Sequence, residues 1–317
     1  MSRPAYTGRF APSPTGPLHR GSLATALGSW LDARCNDGHW LLRMEDTDTP
    51  RCVPGAAEDI LRVLPRFGLV WDGDVLWQSR RTHQYQAALE HLQKEGHAFP
   101  CACSRKEIEA VNGPSARHQT LHYPGTCRTG IPAGKSARAI RFRTCSSATG
   151  EPVHARWFET GTGWIEENVE DRHGDFVIHR ADGLWAYQLA VVVDDLAQGI
   201  THVVRGADLQ DSTGRQVALM NALRSGQQAV PHYWHLPLVL NDRGEKLSKQ
   251  AGALALDENR PITELNVAWQ VFGLPAISAD TPSQWLQKAL PVWADYRRLF
   301  ALQTTQQSCD RRFGADD

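Results

Sequence analysis

Four groups of residues have the types and spacing to do chemistry. His19-x-Gly21-Ser22 follows the turn Pro12-Ser13-Pro14-Thr15-Gly16-Pro17 and opens a helical stretch. Unpaired amides and the positive helix end converge at such a junction and suit an anion, and Gly21 lets the backbone pass close to it. Lys246 and Lys249, in a polar loop flanked by Asn and Gly, are two cations of the kind that neutralise phosphates. Glu45 closes an apolar run just before Asp46 and Asp48. Acidic groups at the carboxyl end of a parallel strand face the ligand crevice. Cys101, Cys103 and Cys127, three thiols in a stretch rich in Pro and Gly, have the residue types of a structural zinc site. From chemistry alone His118 or His122 would be its fourth ligand.

These groups need elements to hold them. Tyr6 to Ala11 reads as a strand feeding a helix, where Leu23, Leu27, Trp30 and Leu31 recur on one face of a 3.6-residue period. Trp40 to Met44 reads as a second strand, and Pro54-Gly55 opens a helix that Pro65 cuts short. Another helix carries Tyr85, Ala88, Leu89 and Leu92 on one face. From Lys135 to Phe158 arginines alternate with apolar residues, a strand pattern that sets Arg138, Arg141 and Arg143 on a solvated face or toward RNA phosphates. Asp182-Gly183 joins two runs rich in β-formers, a hairpin signal. The unbroken apolar run Leu189 to Val193 fits a strand buried on both faces, with Asp194 and Asp195 at its carboxyl end. Thr201 to Asp208 and His235 to Leu240 read as further strands, and two apolar helix faces close the chain, one with Leu265, Ala268, Trp269 and Phe272, one with Trp285, Leu286, Leu290 and Trp293.

Composition narrows the class. A net charge of -1 excludes a globally basic nucleic-acid binder, so any RNA site must be a local patch. No apolar run approaches the roughly 20 residues that span a bilayer, so no membrane partner is expected. The N-terminus lacks the apolar core of a signal peptide, and seven cysteines are an odd count. A reducing, cytoplasmic setting is expected, with Cys35, Cys52, Cys145 and Cys309 as unligated thiols.

The segment Arg9-Phe10-Ala11-Pro12-Ser13-Pro14-Thr15-Gly16-x-Leu18-His19-x-Gly21 resembles the HIGH signature of class I aminoacyl-tRNA synthetases in its glutamyl and glutaminyl form. Lys246-Leu247-Ser248-Lys249-Gln250, more than two hundred residues later, resembles their KMSKS loop. Ser22 stands where the first signature has its second His, and Leu247 and Gln250 replace Met and Ser of the second. Arg43-x-Glu45-Asp46-Thr47-Asp48, Tyr187-x-x-Ala190-x-Val192-Val193-Asp194-Asp195 and Thr201-His202-Val203-x-Arg205-Gly206-x-Asp208 resemble the rest of a glutamyl-synthetase Rossmann domain.

The resemblance implies an α/β fold, a Rossmann-type parallel sheet with a zinc-containing insert and a short helical C-terminal region. It implies a first Rossmann half at 1–98, an insert at 99–160, a second half at 161–240, and the loop with helices at 241–317. It places glutamate against Arg9, Phe10, Ala11, Pro12, Ser13, Glu45, Tyr187 and Arg205. ATP, with Mg2+, would lie against His19, Gly21, Ser22, Lys246 and Lys249, of which His19 and Lys249 act on the phosphates.

Two features resemble the subfamily that joins glutamate to the queuosine base of tRNA(Asp). One is the Cys-x-Cys…Tyr-x-x-x-Cys insert, which points to Tyr123 rather than His122 as the fourth ligand of one structural Zn2+. The other is that fewer than seventy residues follow Lys249, too few for an anticodon-binding region. The partners implied are L-glutamate, ATP and the queuosine-bearing anticodon stem-loop of tRNA(Asp), handled by a monomer. A minimal synthetase charging a tRNA 3′ end and a non-catalytic paralogue that binds RNA or senses glutamate are the alternatives.

Overall fold

A computed structural model of the protein describes residues 6–112, 122–226, 228–238 and 255–313, with side chains to residue 301. The chain opens with β1 (Thr7–Phe10), α1 (Arg20–Cys35), β2 (His39–Met44), α2 (Ala56–Arg66), β3 (Leu76–Trp77) and α3 (Thr82–Lys94). The three strands pair in parallel in the order β1-β2-β3. On α1, Leu23, Leu27 and Leu31 are fully buried, while Trp30 is half-buried and donates its indole N–H to the Val70 carbonyl.

An antiparallel layer follows, from β4 (Ala98–Cys101), α4 (Arg105–Asn112), β5 (Ala139–Phe142) and, later, β8 (Phe176–His179), ordered β4-β5-β8. Between β5 and β8 lie β6 (His154–Glu159), β7 (Gly163–Asn168) and the short α5 (Val169–His173). After β8 come α6 (Tyr187–Ala197), β9 (His202–Gly206), α7 (Thr213–Leu223) and β10 (His232–Leu236). These give a second sheet, β7-β6-β10-β9, whose strands β6, β10 and β9 run parallel.

Strands β1 and β9 bring the two parallel sheets together at their amino ends. Thr201 donates its N–H to the Thr7 carbonyl at 2.9 Å, and the Thr7 N–H reaches the Thr201 hydroxyl at 2.9 Å. Read across this seam the order is β3-β2-β1-β9-β10-β6, a doubly wound sheet whose strand order reverses between β1 and β9. The crevice at that switch point is where such sheets take ligands.

The run Leu189 to Val193 is not the central strand expected of it. It forms the middle of α6, with Leu189, Ala190, Val191, Val192, Asp194 and Asp195 all buried. A short apolar run has no periodicity of its own, so the same residues serve a strand or a helix enclosed on all sides. The Asp182-Gly183 turn is present, with Gly183 at φ +82° and His179 bridging Trp185, but the limb after it becomes the helix. The last strand begins three residues earlier than expected, at His232.

The closing helices α8 (Pro261–Gln270) and α9 (Pro282–Phe313) pack on α1. Trp269, Trp285 and Trp293 are fully buried there. Gly28 makes that approach possible, since a Cβ on it would lie 2.6 Å from Leu236 Cδ1 and 3.2 Å from the Trp293 ring. Among the described residues no helix is long and apolar enough to cross a membrane.

Candidate active site and metal cluster

A cavity of about 550 Å3 opens at the switch point. Arg9 to Ser13, Thr15, His19, Gly21, Ser22, Glu45, Tyr187 and Arg205 line it, so eleven of the chain's expected glutamate and phosphate contacts meet there although they span almost two hundred residues. The sheet explains the meeting. Arg9 and Phe10 end β1, Glu45 follows β2, Arg205 lies near the end of β9, and Tyr187 begins α6. The loop after β1 is tied to the end of β2, because Glu45 donates its N–H to the Pro12 carbonyl at 3.0 Å.

Arg9 is buried and held by Asp195 on α6, through Nε to Oδ1 at 3.2 Å and Nη2 to Oδ2 at 3.5 Å. Arg43 shares that carboxylate at 2.5 Å and also bonds Gln198. Burial pushes the Asp195 pKa up, but Arg9 and Arg43 more than offset it and hold Asp195 below the usual carboxylate range. Asp194 is spent on Gln78, Arg81 and Tyr85, which locks α3 against α6. Neither aspartate of the pair points acid at the cavity, contrary to their expected place at a strand end. Two fixed charges instead became internal partners, one of which sets Arg9.

Glu45 is the exception to this pairing. Its side chain is 8 % exposed, its nearest cation is Arg43 Nη1 at 3.9 Å, and its buried Oε1 has no hydrogen-bond partner among the described residues. Burial pushes its pKa up to about 7, with Arg43 and Arg9 pulling down and Asp195 and Asp194 pushing up. A buried carboxylate oxygen without a donor, facing a cavity, is built for a cationic ligand. Tyr187 beside it has its phenol pKa raised by burial and by the Glu45 charge, so it stays a neutral hydroxyl.

His19 caps α1. Its Nδ1 accepts from the N–H of Gly21 at 3.1 Å and of Ser22 at 3.4 Å. The neutral ring then carries its proton on Nε2, a donor. Ser22 completes a capping box, accepting the His19 N–H at 2.8 Å and donating to the His19 carbonyl at 2.8 Å. The serine that replaces a second histidine therefore also holds the first one in place. Lys246 and Lys249 lie outside the described residues.

The thiols of Cys101, Cys103 and Cys127 form a second site, with all sulfurs within 4.8 Å of one another. Tyr123 joins them, its Oη 3.4 Å from Cys101 Sγ and 3.6 Å from Cys103 Sγ, while Cys103 and Cys127 are 3.7 Å apart. Tetrahedral zinc with Zn–S of about 2.3 Å and Zn–O of about 2.0 Å requires S···S edges of about 3.8 Å and S···O edges of about 3.5 Å. The two S···O edges and the one S···S edge given above match these values, as the ion requires. His122 faces away, its Nε2 bonded to the Glu170 carbonyl at 2.8 Å, and His118 lies outside the described residues.

Sequence reading placed Arg141 on an exposed strand face. It is buried, its guanidinium 4.0 Å over the Tyr123 ring, with Nε on Cys101 Sγ at 3.3 Å and Nη1 on the Asp175 carbonyl. Arg143 likewise turns inward, over Phe99 and onto the Arg128 carbonyl. An alternating pattern marks two faces without saying which one the rest of the chain will cover.

Comparison with known proteins agrees with this geometry. The family described as tRNA synthetases class I (E and Q), catalytic domain, matches residues 6–264. A glutamyl-Q tRNA(Asp) synthetase of Burkholderia cenocepacia is 52% identical over 299 residues, 92% of this chain and 97% of that one. The protein of the same name from Cupriavidus metallidurans is also 52% identical, over 94% of this chain and 93% of its own. The crystal structure of a glutamate-tRNA synthetase from Elizabethkingia anophelis superposes with a TM-score of 0.65 at 30% identity, covering 78% of this chain. The chain spans about half of that enzyme, 53% of its length.

Proposed function

Because the chain belongs to the class I glutamyl and glutaminyl tRNA synthetases, in the branch of the glutamyl-Q tRNA(Asp) synthetases, we propose that it activates L-glutamate with ATP and passes it to the queuosine base of tRNA(Asp). The observation that carries the glutamate half of this reading is the donor set of the cavity. Among the described residues Arg9 keeps three N–H groups beyond those given to Asp195, Arg205 keeps one, and Glu45 Oε1 accepts no hydrogen bond. Glutamate brings two carboxylates and one ammonium, the complementary set. Glutamine would turn an amide N–H2 toward a guanidinium and leave donors facing donors.

In this reading Glu45 takes the substrate ammonium, and Arg9, Arg205 and the Tyr187 hydroxyl orient the carboxylates. The α-carboxylate of glutamate attacks the α-phosphorus of ATP in line, a C–O–P bond forms, and pyrophosphate leaves with its electron pair. The His19 Nε2–H, the amides at the start of α1 and the ammonium groups of Lys246 and Lys249 stabilise the charge that builds on the phosphates. A hydroxyl of queuosine then displaces AMP from the adenylate. ATP enters as its Mg2+ complex. Cys101, Cys103, Tyr123 and Cys127 would hold one zinc ion, which supplies a structural crosslink to the β4–β5 layer and no chemistry to the transfer.

The test is transfer of labelled glutamate to purified tRNA(Asp), with and without queuosine and with and without the 3′-terminal adenosine. Label that needs queuosine and persists when that adenosine is removed is expected. Label on unmodified tRNA(Glu) that removal of the adenosine abolishes would make the protein a short ordinary synthetase.

A further inference from the structure

Arg205 reaches the cavity from a chain of buried polar groups that do not reach it themselves. Its Nε donates to His235 Nε2 at 3.1 Å, Nη1 donates to Gln216 Oε1 at 2.6 Å, and Nη2 donates to Thr213 Oγ1 at 2.9 Å and the Leu209 carbonyl at 3.2 Å. His235 is held in turn by Glu159, whose Oε2 accepts from the ring Nδ1 at 2.9 Å and whose Oε1 accepts the His235 backbone N–H at 2.9 Å. Glu159, His235 and Arg205 sit on β6, β10 and β9, three adjacent strands, with His235 and Arg205 in direct register. All three are buried, with Thr213 and Gln216 beside them. Arg205 lines the cavity, whereas Glu159, His235, Thr213 and Gln216 do not.

We propose that Glu159 and His235 are positioning residues for glutamate, fixing the Nη1–H of Arg205 that has no acceptor among the described residues toward a substrate carboxylate. This rests on the reading of the cavity as a glutamate site.

The argument is one of donors and acceptors. Arg205 can only donate, so His235 Nε2 must present a lone pair to it, and the ring proton must lie on Nδ1. Glu159 enforces that tautomer, because a carboxylate accepts from both the ring and the backbone N–H. Burial favours the same neutral ring: it lowers the His235 pKa, against the pull of Glu159 and with help from the Arg205 charge. With four of its five N–H groups assigned, Arg205 has no freedom to follow a misplaced ligand, and the substrate meets a rigid donor rather than a mobile one. A single hydrogen bond to the guanidinium would leave the group free to swing about its own bonds. Here a fan of four acceptors from three elements removes that freedom.

Glutamine at 159 has nearly the same shape but one donor end, so it cannot accept from both N–H groups. Either the backbone N–H loses its acceptor, or the ring takes the other tautomer and turns an N–H against Arg205. Glutamine at 235, by contrast, can keep the order of polarity, donating to Glu159 and accepting from Arg205, while leucine can do neither.

The experiment is ATP–pyrophosphate exchange with the full chain, read as separate KM values for glutamate and ATP. For Glu159→Gln and His235→Leu the glutamate KM is expected to rise at least tenfold with the ATP KM within twofold. His235→Gln is expected to stay within threefold of the unaltered protein for both. Thr213→Val, which removes one hydroxyl shared by Arg205 and His235, should show the same split if Glu159→Gln does not fold. A glutamate KM that is unchanged in these variants, or an ATP KM that rises in step with it, would overturn the proposal. No glutamate-dependent exchange by the unaltered protein would instead sink the reading of the cavity, a distinguishable result.

Discussion

At the cavity, charged side chains are fixed by partners from distant parts of the chain: Arg9 by Asp195, 186 residues away, and Arg43 by Asp195 and Gln198. At the cysteine cluster the ligand atoms come from a short span, Cys101 to Cys127, and their fixed surroundings are slight. Among the described residues the core around the cluster counts six buried residues, three of which, Cys101, Tyr123 and Cys127, belong to the cluster itself, whereas thirty buried residues form the core under α1, α8 and α9. The first site is therefore preassembled by the sheet, and the second has little packing of its own to hold its thiols together. Buried charge in the first is balanced by protein groups, whereas the second gathers three thiols that could hold a metal ion.

That contrast is sharpest for removal of a single charge at the cavity. Arg9→Met deletes both a carboxylate clamp and the partner of Asp195, and glutamate-dependent exchange is expected to fall by about 10²–10³. The matching change at the cluster, Cys103→Ala, should leave exchange within threefold, and equal losses for the two would erase the distinction between the sites.

Stripping metal with a strong zinc chelator comes next. Proteolytic cleavage between residues 99 and 145 is expected to quicken at least tenfold, while glutamate-dependent exchange holds within threefold. Unchanged cleavage would mean that the small core stands without its ion.

The mildest effect is the pH dependence of glutamate recognition. Glu45 in the free site has its pKa pushed up to about 7, and an ammonium beside it must lower that value. A group whose pKa falls on binding favours binding above its free value and loses that advantage as pH drops through it. The glutamate KM is therefore expected to rise roughly tenfold from pH 8 to pH 6, and the ATP KM to change little. A flat glutamate profile over that range would show that Glu45 is already ionised in the free site.

Much of the cavity was legible because its anchors are local. The Pro/Gly turn, His19 and Gly21 lie within a few residues, and Arg9, Glu45, Tyr187 and Arg205 could be carried over from a family pattern. The groups that hold them were not legible. Asp195, Gln198, Glu159, His235 and Gln216 have no spacing relation to the arginines they bind, and their partners exist only once strands and helices are packed. Asp194-Asp195 carried a visible signal, two acids beside an apolar run, but the signal was assigned to a strand end. Ser22 was legible as a departure from the signature, and its part in the capping box follows from its place three residues after His19.

By itself the sequence determined the residue types at each site, their order along the chain and the turn and cap that start α1. These depend on bonds and steric preferences that reach over four or five residues. Tertiary structure alone decided that Leu189 to Val193 is a helix, that Arg141 lies over Tyr123 rather than in solvent, and that Asp194 and Asp195 pair inside the protein rather than face the cavity. Each of these depends on which distant surface covers a segment, because burial and the donors beside a charge come from the neighbours that folding brings to it.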